Sequence, residues 1–241
     1  MVNRTDSNIF YFYRFICSAF YLLPVLFLSG CFGVIQKSDL IYTGGVAVES
    51  FSSNAMFSYA SSDRSFSGRG ILLFRKPDQI RAVILSPFGS VLQEVYIRGE
   101  QITIIDPANG KAFSGNYMEL PEKGNLSGWR YIHWLLDIDT PDSLRGSEII
   151  DRTNKFGDNE KAVFENGLLM SKKSPVGGHV SYGMYSTVQK TVFPLEITYE
   201  TVKDEKFIIQ LEDLEINLTL AENSFTPDLV KLRVYPLSSL K

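Results

Sequence analysis

The chain contains two histidines, His133 and His179. His133 lies in the apolar run GWRYIHWLL and His179 in the turn-like stretch PVGGHVSYG. Zinc needs three or four convergent Cys, His or carboxylate ligands, and neither histidine has such partners nearby. They read as a core or lid histidine and a loop histidine. Three carboxylates crowd DIDTPD, residues 137–142, a composition that would suit Ca²⁺. The stretch lacks the loop spacing and terminal Glu of an EF-hand, and reads as a solvated helix end. LEDLE reads as the outer face of a strand and turn. The serine of LSPFG stands in no G-x-S-x-G elbow, and GRG and GG lack the strand-to-helix setting of a phosphate loop. No metal, no cofactor and no enzymatic activity are expected.

The cysteines suggest different chemistry. Arg4 and Arg14 give a basic start, and the apolar run FICSAFYLLPVLFLSGC follows, ending at Cys31. This reads as a secretory signal over residues 1–30. A single retained spanning helix is the alternative, but the run is short for one. The stretch LSGC, Leu28 to Cys31, resembles a bacterial lipobox. The Cys31 thiol would take a diacylglycerol, since the thiolate is the nucleophile suited to forming a thioether. A peptidase would cut after Gly30, and the new amino group would be acylated. Two or three acyl chains, at about 0.8 kcal/mol per CH₂, anchor a protein stably. By resemblance to Gram-negative sorting, Phe32 rather than Asp after the cysteine points to the outer membrane. Cys17 leaves with the signal, so no disulfide is expected although the compartment permits one.

The elements that must carry any function are mostly strands. The chain has 241 residues with a net charge of -3, and loss of the leader makes the body slightly more acidic. No basic field exists for nucleic acid. Residues 31–43 read as lipidated N-terminus and linker, and residues 44–241 as one domain. Period-two alternation recurs in GGVAVESF, NAMFSYASS, GRGILLFRKP, QIRAVILSP, SVLQEVYIRG and EQITIIDPANGKAFSG, with hairpin turns between them. In NLSGWRYIHWLLDIDTPD the spacing changes. Trp129, Ile132, His133 and Leu136 share one helical face, and Tyr131, Trp134, Leu135 and Ile138 another. Both faces are largely apolar, so this short helix should be buried. Strands resume in KAVFEN, LLMSKK, HVSYGMY, FPLEITYE and KFIIQLEDLEINLTL. The tail NSFTPDLVKLRVYPLSSLK reads as an edge segment or an extension. The expected fold is mainly β: a curved antiparallel sheet with a helix inside its concave face.

Between two of these strands stands Ser86-Pro87-Phe88-Gly89. Pro87 presets φ and Gly89 supplies freedom. Phe88 is a large apolar residue at a turn tip, and either folds back onto its sheet or meets an apolar partner.

The block GILLFRKPDQIRAVILSPFGSVLQEVYIRGEQITIIDPANGKAFSG, residues 70–115, resembles the bacterial outer-membrane lipoprotein receptor LolB. The resembling pieces are the strand Arg81 to Leu85, the turn Ser86 to Gly89, the strand Gln93 to Val95 and the hairpin Ile102 to Phe113. GWRYIHWLL falls where that family has a Trp-containing helix segment, and VFPLEITYETVKDEKFIIQLEDLEINL resembles its final strands. The resemblance implies a half-open antiparallel β-barrel of about eleven strands, with helices covering a hydrophobic cavity. It implies that the cavity takes lipoprotein acyl chains from a LolA-like periplasmic carrier for insertion in the outer membrane, with the protein acting as a monomer. The turn-tip residue, here Phe88, would protrude and take part in membrane insertion. Candidate cavity residues are Leu73, Ile84, Val95, Ile104, Trp129, Trp134 and Leu136, although a one-residue slip would exchange the faces of a strand. A scaffolding lipoprotein of the same fold, with its cavity filled by side chains, is the alternative. A lipid hydrolase is a third reading.

Overall fold

The computed structural model describes residues 40–121, 124, 126–174, 177–202 and 204–240. Cys31 and the leader lie outside the described residues. Thirteen strands form one sheet: β1 (Ser50–Ala60), β2 (Ser65–Arg75), β3 (Gln79–Leu85), β4 (Val91–Arg98), β5 (Gln101–Asp106), β6 (Lys111–Asn116), β7 (Glu148–Thr153), β8 (Asn159–Glu165), β9 (Leu168–Lys173), β10 (His179–Val188), β11 (Thr191–Glu200), β12 (Lys206–Ile216) and β13 (Arg233–Pro236). Two short helices, α1 (Ser127–Arg130) and α2 (Ile132–Leu136), separate β6 from β7.

The strand order is β13-β6-β5-β4-β3-β2-β1-β12-β11-β10-β9-β8-β7. Two meanders, β1 to β6 and β7 to β12, meet where β1 pairs antiparallel with β12. β13 joins the outer edge parallel to β6, and Pro236 is tolerated there because an edge strand has a free side. The sheet curls and stays open between β13 and β7. This is the half-open antiparallel architecture that the resemblance implies, with thirteen strands rather than eleven.

Directly opposed residues share a face, so the pairing shows which side chains point inward. Leu72, Ala82, Val95, Ile104 and Phe113 form one continuous inner row. Phe51, Phe74, Ile80, Ile97 and Ile102 form the next. On the other side of β1, Phe57 faces Ile209 and Tyr59 faces Phe207. Apart from half-buried Phe113, these residues are buried, and each large apolar side chain contributes about 1.5–3 kcal/mol.

Three expectations need correction. GGVAVESF and NAMFSYASS are not two strands. Residues 50–60 form β1, and residues 44–49 lie outside the sheet. The single expected helix is two, broken at Tyr131, whose φ of -107° and ψ of 4° interrupt the turn. Leu73 is half-buried on the outer face, opposite in sense to its inward neighbours Leu72 and Phe74.

The helix pair packs onto the inner face, burying Trp129, Ile132, Leu135 and Leu136. The Trp129 ring lies 5.5 Å from Phe57 and 5.6 Å from Phe207. Gly128 makes this approach possible, because a Cβ there would stand 2.3 Å from the Phe207 ring. Gly128→Ala is therefore expected to cost about 1–3 kcal/mol through overpacking. The cost should appear as a lower urea midpoint at unchanged slope. An unchanged midpoint would show that α1 does not rest on Phe207.

Candidate functional site

The helix pair does not fill the inner face. A groove of about 850 Å³ remains between α1 and the strands β1 to β6. Phe57, Ile84, Ile104, Trp129 and Phe207 line its buried part. Toward the opening stand Phe66 and Leu92, both partly exposed, with Arg64, Gln93 and Asp106 as polar neighbours. The lining is thus apolar and aromatic inside, with few polar groups, which is the make-up of a site for apolar ligands.

Antiparallel order places the β1–β2, β3–β4, β5–β6 and β11–β12 turns at one end of the sheet. The β3–β4 turn rises beside the groove, since Ile84 and Leu92 flank it and both line the groove. Its backbone is tied down. Gly89 N donates to Ser86 O at 2.9 Å and Ser86 N to Ser90 O at 2.8 Å. The Ser86 hydroxyl also accepts from Phe88 N at 3.2 Å and Ser90 N at 3.1 Å. Gly89 has φ +81°, a conformation that favours glycine. Phe88 stands on this braced turn, 97% exposed. It points outward, so the fold-back alternative is excluded.

A buried polar cluster fixes the helix pair from the β7–β10 side. Lys172 is fully buried and donates from Nζ to the carbonyls of Trp134 at 2.5 Å and Asp137 at 2.9 Å. Tyr182 Oη donates to Leu135 O at 3.0 Å, and Trp134 Nε1 donates to Glu160 Oε2 at 2.6 Å. Arg152 closes the cluster, donating to Asp139 at 2.6 and 2.7 Å and from Nε to Glu160 at 2.8 Å. Burial pushes the Lys172 ammonium down to about 8, against the pull of Glu160, Asp137 and Asp139. Burial also pushes the Tyr182 phenol well up. His133 Nε2 meets the Gly99 carbonyl at 3.0 Å, and burial lowers its pKa. It is a core histidine.

The structure divides the candidate cavity residues. Ile84, Ile104 and Trp129 line the groove. Val95 and Leu136 are buried in the core beside it. Trp134 lies on the other side of α2, against Glu160. Leu73 is on the outer face and cannot line the cavity. Among the described residues, no group of three or more His, Cys, Asp or Glu could hold a metal. No helix among them is long and apolar enough to cross a membrane. Sequence reasoning missed Phe57, Leu92, Phe113 and Phe207 as groove residues. For β1, β6 and β12 the signal was strand parity, once the register is known; Leu92 is the extra residue where β3 and β4 shift register, so parity places it outward. For Lys172 there was none, because it reads as the surface partner of Lys173.

No protein-family model matches the chain, nor does any curated protein sequence. Solved structures do. A DUF1329 family protein from Desulfovibrio piger is similar over 74% of this chain and 90% of its own, with 13% identity and a TM-score of 0.54. This likeness shows the fold alone. A LolA superfamily protein from Nitrosomonas europaea is similar over 76% of this chain and 92% of its own, with 12% identity and a TM-score of 0.48.

Lys172 yields a pH prediction. Its native pKa of about 8 lies below the ordinary lysine value of about 10.4. Between these values the unfolded chain binds a proton that the native state does not, so stability rises with pH there. The gain is about 3 kcal/mol at 1.36 kcal/mol per unit. Tyr182 works in the opposite direction above pH 10, because its unfolded phenol ionises first. Lys172→Met keeps the tyrosines, so the wild-type minus variant stability isolates the lysine. That difference should climb from pH 8 to pH 10 in urea titrations, and a flat difference would reject the depressed lysine.

Proposed function

We propose that this protein is an envelope lipoprotein that receives acyl chains in the groove and delivers lipoproteins to the outer membrane. One observation carries the reading. An apolar groove of about 850 Å³ reaches the same end of the sheet from which Phe88 projects on a rigid turn. An acyl chain entering the groove gains about 0.8 kcal/mol for each CH₂ buried. Phe88, braced rather than floppy, pays little ordering entropy on entering a bilayer and gains about 1.5–3 kcal/mol from burial. Cys31, acylated, would hold the domain at the membrane, and a LolA-like periplasmic carrier would hand over the cargo. The reading needs no enzyme chemistry and no cofactor, and the protein works as a monomer. The extensive packing of α1 and α2 on the inner face supports the alternative of a scaffold lipoprotein, whose groove would not take lipid.

Two measurements test this. The folded protein should take up a fluorescent fatty-acyl probe that palmitate displaces. Leu92→Arg, at a partly exposed position of the groove, should weaken uptake at least tenfold while thermal stability holds. Absence of uptake by folded wild type would favour the scaffold. Phe88→Glu should leave stability within about 0.5 kcal/mol and leave probe uptake unchanged. It should abolish delivery of a lipoprotein from a carrier to liposomes. Full delivery by Phe88→Glu would remove the turn from the mechanism.

A further inference from the structure

A second cleft, of about 290 Å³, lies on the other side of the helix pair from the groove. Tyr131 and Trp134 reach it from the helices and Tyr117 from the short turn after β6. Phe156 and Asp158 reach it from the β7–β8 turn. Several rings converge here. His133 lies 5.5 Å from Tyr117 and 6.1 Å from Phe156. Phe156 is 41% exposed, yet its turn is held. Asn154 Oδ1 accepts from Phe156 N and Asp158 N, both at 2.9 Å. The turn therefore holds a partly exposed aromatic ring at the edge of the cleft.

The polar groups around this gap are available. Asn154 uses its side-chain oxygen in the turn, and Asn159 accepts through Oδ1 from the Thr153 hydroxyl at 3.1 Å. Among the described residues, both amide NH₂ groups, which are donors, are left over. Among the described residues the Asp158 carboxylate makes no hydrogen bond or ion pair, and acts on Tyr117 only through its charge. Asp158 is exposed, so its two oxygens are open to donors of a guest in exchange for water. The Lys155 ammonium, ion-paired with Asp137 at 2.9 Å, lies 5.1 Å from the Phe156 ring, and the Arg130 guanidinium lines the same cleft. With cationic side chains of the protein already beside the ring, a neutral guest fits better than a second cation.

We propose that this cleft binds a neutral saccharide ring. A pyranose has a face of C–H groups and a rim of hydroxyls. The C–H face matches the aromatic faces of Phe156 and Tyr131, whose π-systems are negative at the face. Each rim hydroxyl both donates and accepts, and so matches a carboxylate set beside amide donors. The site shares no lining residue with the acyl groove, so sugar and acyl chain do not compete for the same space.

The test uses the full chain in a detergent without a sugar head group. Saturation-transfer NMR is run with glucose, galactose, mannose and N-acetylglucosamine, and with choline as the cationic comparison. At least one sugar should receive saturation, and palmitate should not displace it. Phe156→Ala and Asp158→Asn should each weaken that sugar at least tenfold. Both residues lie in an exposed turn, so unfolding temperatures should not move. No transfer to any of the four sugars would overturn the proposal. So would transfer unaffected by Phe156→Ala, and so would binding of choline in place of sugar.

Discussion

The contact on which the rest depends is that between the Lys172 ammonium and the carbonyls that end α2. Helices of four and five residues do not persist alone, because nucleation costs more than so few hydrogen bonds return. Their terminal carbonyls also lack partners within the helix. Lys172 takes two of these carbonyls, and Tyr182 takes a third. The indole N–H of Trp134, held by Glu160, fixes the rotation of the helix. A cation at a helix C-terminus is also favoured by the helix dipole. Burying an ammonium is costly, and two carbonyl acceptors and the nearby carboxylates offset that cost only in part, which is why its pKa stays depressed.

Where the helix pair sits decides what the inner face can offer. Anchored toward β8, β9 and β10, it leaves the strands β1 to β6 partly uncovered. The groove is that uncovered part. On the opposite flank, the gap between the helices and the β7–β8 turn becomes the aromatic cleft. Gly128 against Phe207 sets how deeply α1 descends, and with it the depth of the groove at Trp129. The β3–β4 turn is independent of all this. Its rigidity comes from its own serines and from Gly89.

Legibility varied with the hydrophobic pattern. In QIRAVIL a charged residue and the β-strand period place Ile80, Ala82 and Ile84 inward, and the pairing agrees. In GILLFR four consecutive apolar residues give no parity, so the pattern alone does not place Leu73 on its outer face. The helix was visible because Trp, Ile and Leu recur at helical spacing. Its break at Tyr131 was not, because the spacing runs through it. The edge strand β7 alternates exposed and half-buried residues, a weak pattern in a charged segment. β13 needs a parallel partner more than a hundred residues away, which no local pattern reports.

The sequence by itself determined a β-rich chain, the positions of most hairpins, an apolar helical segment between two meanders, and an apolar residue at the tip of the β3–β4 turn. These rest on alternation and turn chemistry, which are local. Only the tertiary structure decided which side of the sheet Lys172 occupies. A register shift between β8 and β9 leaves Met170 as an extra residue, since Phe164 faces Leu169 while Val163 faces Ser171. The extra residue reverses the parity beyond it and turns Lys172 inward beside Ala162. A bulge of one residue leaves no mark in composition or period, because it is set by which two strands meet and not by either alone.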